Sequence, residues 1–170
     1  MTAEEEAAGR AVAAGPDGSA VRSRPEVPTR TEPPVTETTA AFWDATRDKR
    51  LLVQWCTSCG QAVFFPREVC PFCTSSALEW RLASGCATLY SFTVEHKAQT
   101  SVLGGAGPYV IALVDLDEGV RMMSNVVHCP VESLVVGMAL EITWELLSDG
   151  RHLPLFEPRD RPAPALGATK

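Results

Sequence analysis

The sequence predicts a mainly β protein in two ordered parts, a small cysteine-bearing ribbon and a five-stranded barrel, between tails that do not fold. Three observations predict it. Two Cys-x2-Cys pairs, separated by ten residues, lie between Cys56 and Cys73. Five later segments alternate side chains with the period of a strand, and no segment carries the period of a long helix. Both ends of the 170-residue chain are rich in Ala, Gly, Pro, Thr and charge without any apolar period.

The ends come first. Residues 1–40, with "RPEVPTRTEPPVTETT" at their close, read as a disordered linker, and residues 159–170 as a disordered tail. Between them an apolar content of 45% overall supports a packed core. The N-terminus opens with three glutamates rather than a signal-peptide core, and no stretch approaches 18 apolar residues. We therefore expect a cytoplasmic protein without membrane contact, in a compartment that keeps thiols reduced.

Residues 41–80 are expected to hold a short helix and the ribbon. Thr38 or Thr39 can cap a helix over about Ala40–Lys49, with Asp44 early and Arg47, Lys49 and Arg50 late, as the helix dipole favours. Phe42 and Trp43 are its large apolar groups. They either pack on their own domain or form an aromatic anchor that docks on a partner. Leu51 to Cys56 then alternate as a strand that enters the cysteine site.

The pairs are Cys56 with Cys59 and Cys70 with Cys73. A two-residue gap lets both sulfurs of one turn face a common centre, so two such turns supply a closed tetrahedron. Gly60 suits a turn that needs positive φ, and Pro71 stiffens the second turn. Ten residues between the pairs suffice for a hairpin and not for a helix, which makes the unit a zinc ribbon with one structural ion. Iron of the rubredoxin type and disulfides are the alternatives. A closed set of four thiolates leaves no position for metal catalysis and instead supplies folding energy, on the order of 10 kcal/mol or more in small zinc peptides. Cys86 and Cys129 stand alone and read as small buried apolar residues.

Residues 81–158 carry the strands. In "CATLYSFTVEHKA" one face holds Thr88, Tyr90, Phe92 and Val94, the other Leu89, Ser91, Thr93 and Glu95. "PYVIALVDLDEGVRMMSNVV" reads as two strands joined at Asp117-Glu118-Gly119, with Gly119 in the left-handed position of a bulged hairpin. "MALEITWEL" should bury Met138, Leu140, Ile142, Trp144 and Leu146, and "HLPLFEP" adds a short fifth strand. Five strands, a turn-like "PVESLVVG" and no long helix fit a Greek-key barrel of the OB type.

"FWDATRDKRLLVQWCTSCG", "FFPREVCPFC", "LEWRLASGCATLYSFTVEH", "PYVIALVDLDEGVRMMSNVV", "VGMALEITWE" and "LPLFEP" follow one another, over about residues 41–158, as in a known two-part family. The chain resembles that family of an N-terminal rubredoxin-like zinc ribbon with a C-terminal OB fold, first catalogued as a domain of unknown function. The resemblance implies a non-catalytic or accessory subunit that docks on a thiolase-superfamily enzyme, a thiolase or aldolase of lipid, steroid or polyketide metabolism. It implies CoA or acyl-CoA as ligand of the complex, and in some members a second acyl-CoA enzyme, such as a hydratase, as further partner. For that role Phe64, Phe65 and Arg67, between the cysteine pairs, are the candidate acyl-CoA or partner contacts: two aromatics as an apolar wall, and a guanidinium fork for phosphate.

Two rival functions remain at this level. Ribbons and OB folds also bind single-stranded nucleic acid, but residues 41–160 carry 9 basic and 14 acidic groups, which would repel a phosphate backbone. A stand-alone acyl-CoA-processing enzyme is the other. His96, His128 and His152 are scattered, and "LGGAGP" at 103–108 lacks the spacing of a dinucleotide motif and reads as a loop.

Overall fold

The computed structural model of the chain describes residues 32–96 and 108–159. The tails up to residue 31 and from residue 160, Lys97, and "LGGAGP" up to residue 107 therefore lie outside the described residues.

Order begins before the helix. Glu32 accepts a hydrogen bond from the N–H of Ser148 at 2.6 Å, and Arg151 donates to the carbonyl of Pro33 at 3.0 Å, so residues 32–34 lie along the loop before the last strand. A 3-10 turn over Glu37–Thr39 leads into helix α1, Ala40–Ala45, which is shorter than the expected span to Lys49. Thr39 stands at the N-cap of α1 without capping it, because its hydroxyl already accepts the N–H of Thr36 at 2.9 Å. After Ala45 the chain tightens into a 3-10 turn, Thr46–Asp48, and Lys49 turns left-handed at φ 55°. Thr46 is fully buried: its hydroxyl donates to the Trp43 carbonyl at 2.7 Å, and its own carbonyl meets Nδ1 of His152 at 2.9 Å. The helix end is thus bonded to the last barrel strand.

The ribbon sheet has the order β2-β1-β3, with β1 Leu52–Cys56, β2 Ala62–Val63 and β3 Leu78–Leu82, all antiparallel. As the central strand, β1 is covered on both faces: Val53, Gln54 and Cys56 are all buried. Its lower end, with Leu51 and Val53, joins the main core, while Cys56 belongs to a second, small cluster with Val63 and Cys70.

The barrel strands are β4 Cys86–Glu95, β5 Tyr109–Leu116, β6 Arg121–Val126, β7 Ala139–Leu146 and β8 His152–Pro158. They close in the order β4-β5-β6-β8-β7, with β8 parallel to β6 and antiparallel to β7, the arrangement expected of an OB barrel. Gly119 turns the β5–β6 hairpin at φ 84°, as expected. "PVESLVVG" contributes only a 3-10 turn, Val131–Ser133. Leu89, Leu140 and Phe156 form the fully buried centre.

Three side-chain expectations are corrected. A bulge between Leu89 and Ser91 inserts one residue into β4, so Ala87 and Leu89 face inward before it and Phe92 and Val94 after it. Thr88 and Tyr90 therefore do not share one face with Phe92 and Val94, as the plain alternation had it. At the end of β7, Leu146 is 66% exposed and Leu147, just past the strand, is the buried residue. Cys86 and Cys129 are half-buried rather than enclosed.

Candidate functional site

The two cysteine turns are built alike. The N–H of Gly60 donates to the Cys56 carbonyl at 2.8 Å and that of Thr74 to the Cys70 carbonyl at 2.9 Å, each closing one knuckle. Gly60 and Thr74 hold corresponding left-handed positions, at φ 70° and 61°. Ser58 and Ser75 hydroxyls bond each other across the two knuckles at 2.8 Å.

Four sulfurs converge between the turns. The Sγ atoms of Cys56, Cys59, Cys70 and Cys73 all lie within 4.8 Å of one another, and the pairs Cys56–Cys73 and Cys59–Cys70 are each 3.6 Å apart. Sulfurs placed tetrahedrally about 2.3 Å from one zinc are about 3.8 Å apart, whereas a disulfide requires about 2 Å. The geometry fits one metal ion with no open position, and all six cysteines are free thiols. Without a cation the four cannot all ionise. Burial, with the thiols of Cys73, Cys56 and Cys70 adding to it, pushes Cys59 up to about 12 against the N–H of Gln61. Cys56 is also desolvated, but the N–H groups of Cys59 and Ser58 and two neighbouring thiols bring it down to about 7. A divalent metal would supply the charge that this arrangement lacks.

The stretch beyond β2 is pinned by a residue that the sequence reading passed over. Gln54, only 6% exposed, donates through Nε2 to the Arg67 carbonyl at 2.9 Å and accepts the Arg67 N–H at 2.7 Å. Phe64 and Phe65 are thereby held at the foot of the ribbon, joined by a cis peptide. Phe64 is half-buried and meets Phe42 edge to face at 5.9 Å, while Phe65 is 49% exposed.

Phe64 and Phe65 form one wall of a groove of about 890 Å³ whose other side is barrel: Ile111, Met122, Met123, Leu153 and Leu155, with Pro33 and Pro34 at its rim. Arg67 is not in this groove. Its exposed guanidinium belongs to a smaller hollow of about 470 Å³ with Thr36, Val69 and Pro71, and Phe65 borders both. The expected trio of Phe64, Phe65 and Arg67 is thus divided. Phe42 and Trp43 are 2% and 4% exposed and line the floor of the groove from within the core. They pack on their own domain, and their burial removes them as side chains that could insert into a partner.

Electrostatics sharpen the contrast with a nucleic-acid surface. Arg121 makes a two-pronged bond to Asp115, at 2.7 and 2.9 Å, and stacks on Tyr90, which the β4 bulge brings outward. The guanidinium holds the Asp115 carboxyl below the usual range. Among the described residues of the barrel from Cys86 to Leu147 this is the sole arginine or lysine, and its charge is matched. His128 pairs with Glu157, and His152 with the Thr46 carbonyl. No helix among the described residues is long and apolar enough to cross a membrane.

Arg151 is the other unanticipated residue. It is 5% exposed, donates to Asp149 at 2.5 Å and to Pro33, and lies 4.9 Å from the centre of the Trp43 ring. A buried arginine needs such partners, and here they tie the N-terminal segment to the loop before β8. Its signal in the sequence, one basic residue after a Ser-Asp-Gly turn, says nothing of its burial.

Comparison with known proteins agrees with this architecture. Residues 43–79 match the family described as ChsH2, rubredoxin-like zinc ribbon domain, and residues 80–145 that described as ChsH2, C-terminal OB-fold domain. A DUF35 domain-containing scaffold protein of Methanocaldococcus jannaschii is 31% identical over 117 residues, covering 61% of this chain and 82% of the relative. A Thermomonospora curvata protein named "Probable enoyl-CoA hydratase alpha subunit" is 30% identical over 129 residues, covering 76% of this chain. The match spans only 40% of that longer protein. Among solved structures, a chain of the Ltp2-ChsH2(DUF35) aldolase superposes with a TM-score of 0.68 at 30% identity, over 75% of this chain and 98% of that one.

Proposed function

Since the chain belongs to the family of DUF35 scaffold proteins and ChsH2-type zinc-ribbon and OB-fold subunits, we propose that it is a non-catalytic or accessory subunit that docks on a thiolase-like enzyme and helps to organise an acyl-CoA site. One observation carries this reading. A chain of an aldolase complex has its counterpart here over 98% of its length, ribbon and barrel together. His128 and His152, engaged in local bonds, and the closed sulfur cluster fit a part that positions rather than reacts.

In this reading Cys56, Cys59, Cys70 and Cys73 hold one structural zinc, whose chemistry is to fold the ribbon. The ribbon then presents Phe65 and Arg67 outward. An exposed ring beside an exposed guanidinium suits a pantetheine arm and a phosphate, with Phe64 supporting the ring from the groove side. The similarity to a hydratase subunit makes a hydratase the natural second partner.

The test is co-expression with a thiolase-like subunit of the kind found in the similar aldolase. We expect co-purification, about one zinc per chain and CoA-dependent activity of the pair; an enzyme subunit that purifies alone would sink the reading. Arg67→Ala should weaken acyl-CoA binding by the complex, and an unchanged affinity would remove the arginine from the site.

A further inference from the structure

We propose that the free edge of β3 is a self-association surface. Two copies of the chain pair their β3 strands antiparallel about a two-fold axis at Trp80, which joins two ribbon sheets into one. This goes beyond the docking on an enzyme subunit proposed above and does not rest on it.

The edge comes first. β3 closes one side of the three-stranded ribbon sheet, and among the described residues it pairs with β1 alone. Its hydrogen-bonding phase is fixed at both ends: the N–H of Thr57 donates to the Ala77 carbonyl at 3.0 Å, and that of Ala83 to the Leu51 carbonyl at 2.8 Å. Antiparallel pairs alternate, so Glu79 and Arg81 direct their backbone groups at Trp55 and Val53 of β1. The N–H and C=O groups of Trp80 and Leu82, with the C=O of Leu78, therefore point away from β1. Such an edge is a template for another strand.

The side chains choose that strand. β3 reads Leu-Glu-Trp-Arg-Leu, and reversing it exchanges only Glu79 with Arg81. Laid antiparallel on a second copy with Trp80 opposite Trp80, each Leu78 faces a Leu82 and each Glu79 an Arg81. The same register satisfies the backbone: the two Trp80 residues exchange both bonds, and each Leu82 N–H reaches the facing Leu78 carbonyl. The N–H of Leu78 is already held by the Ser76 carbonyl at 2.8 Å. Other registers fail. A shift of two residues puts Arg81 opposite Arg81 or Glu79 opposite Glu79, and a shift of one breaks the hydrogen-bonding phase and turns the side chains to opposite faces. Pairing of this kind, in which each residue and its partner exchange roles, closes as a dimer instead of growing into a fibre.

The groups are available for it. Leu82 is 61% exposed, and the side chains of Glu79 and Arg81 are each 48% exposed. Arg81 lies 4.4 Å from the centre of the Trp55 ring and donates through Nε to Glu79 at 2.7 Å, so both charges stand on one face of the sheet. In the dimer they would form a ring of four alternating charges, while Leu82 covers its exposed side chain against Leu78 on the other face.

Sedimentation equilibrium of the zinc-loaded, full-length chain tests this. One strand pair is a small interface, so the expected dimer is weak, with Kd below about 1 mM. Glu79→Arg and Arg81→Glu each set like charges against one another at both cross-strand pairs, and each should raise Kd at least about tenfold. Mixed in equal amounts, the two variants should form a heterodimer, because every facing pair is then opposite in charge. The double variant, Glu79→Arg with Arg81→Glu, should dimerise as the parent does. Should a single variant lose its zinc, Leu82→Lys, at an exposed position, takes its place and should also raise Kd about tenfold. A parent chain that stays monomeric at about 1 mM, single variants that dimerise like the parent, or a mixture that stays monomeric overturns the proposal. Amides of Trp80 and Leu82 that gain protection only when an enzyme subunit is added would overturn it too, and would assign the edge to that enzyme.

Discussion

In the barrel, Leu89, Leu140 and Phe156 are enclosed by five strands that close on one another, and the cluster around them reaches down to Phe42, Leu51 and Val53. In the ribbon the buried cluster is Cys56, Val63 and Cys70, so two of its three members are sulfurs of the four-thiol site. The barrel can hold itself by apolar burial. The ribbon cannot, because removing the sulfurs from its core leaves Val63 with the half-buried Leu78 against it. The difference teaches that β1, with Val53 in one cluster and Cys56 in the other, is the joint through which a metal event in the ribbon would reach the groove.

The largest expected effect separates the two regions. Chelation, or Cys59→Ser, should release metal-linked folding energy on the order of 10 kcal/mol and unfold the ribbon beyond Val53. Amide signals of Leu89, Leu140 and Phe156 should persist in a two-dimensional NMR spectrum while those of residues 56–78 collapse. Simultaneous loss of both sets would erase the distinction.

Next in size is a change confined to the barrel. A Cβ on Gly85 would lie 2.5 Å from Cγ2 of Ile142, at φ 78°. Gly85→Ala should therefore lose about 3 kcal/mol to overpacking and backbone strain, while Gly119→Ala, with open space around it, should lose only about 1 kcal/mol. Urea unfolding of the two variants, with zinc content measured alongside, checks both the difference and the expectation that the ribbon keeps its metal.

Gln54→Ala acts at the joint. It removes both bonds to the Arg67 backbone and leaves a part-buried N–H and carbonyl to find other partners, for about 1 kcal/mol. Hydrogen exchange should quicken at Arg67 and leave β5 and β6 unchanged; unaltered exchange at Arg67 would show that the stretch is held by something else.

The smallest effect is in the loop before β8. The N–H of Arg151, and then its side chain, keep the Asp149 carboxyl below its ordinary range. The folded value is depressed, so this contribution is present above the unfolded value, about 3.9, and is lost as pH falls through the depressed one. Asp149→Asn should lower Tm slightly at neutral pH, and the gap should close in acid once both states are protonated.

Much of this was legible beforehand. The four cysteines, the left-handed Gly60 and Gly119 and all five barrel strands are written in local spacing and period. Inward faces were less so: the β4 bulge reverses the phase at Tyr90, and the alternation of β7 points to Leu146 although the chain buries Leu147. A bulge depends on how one strand meets its neighbours, and no residue in "ATLYSF" announces it.

By itself the sequence determined the knuckles and the order of strands, because a turn needs only its own few residues and a strand only its own alternation. Tertiary structure alone decided the groove, the burial of Arg151 against Trp43 and the separation of Arg67 from Phe64. Each of these joins residues brought together from different parts of the chain, and the contact energies that select such neighbours exist only once the elements have packed.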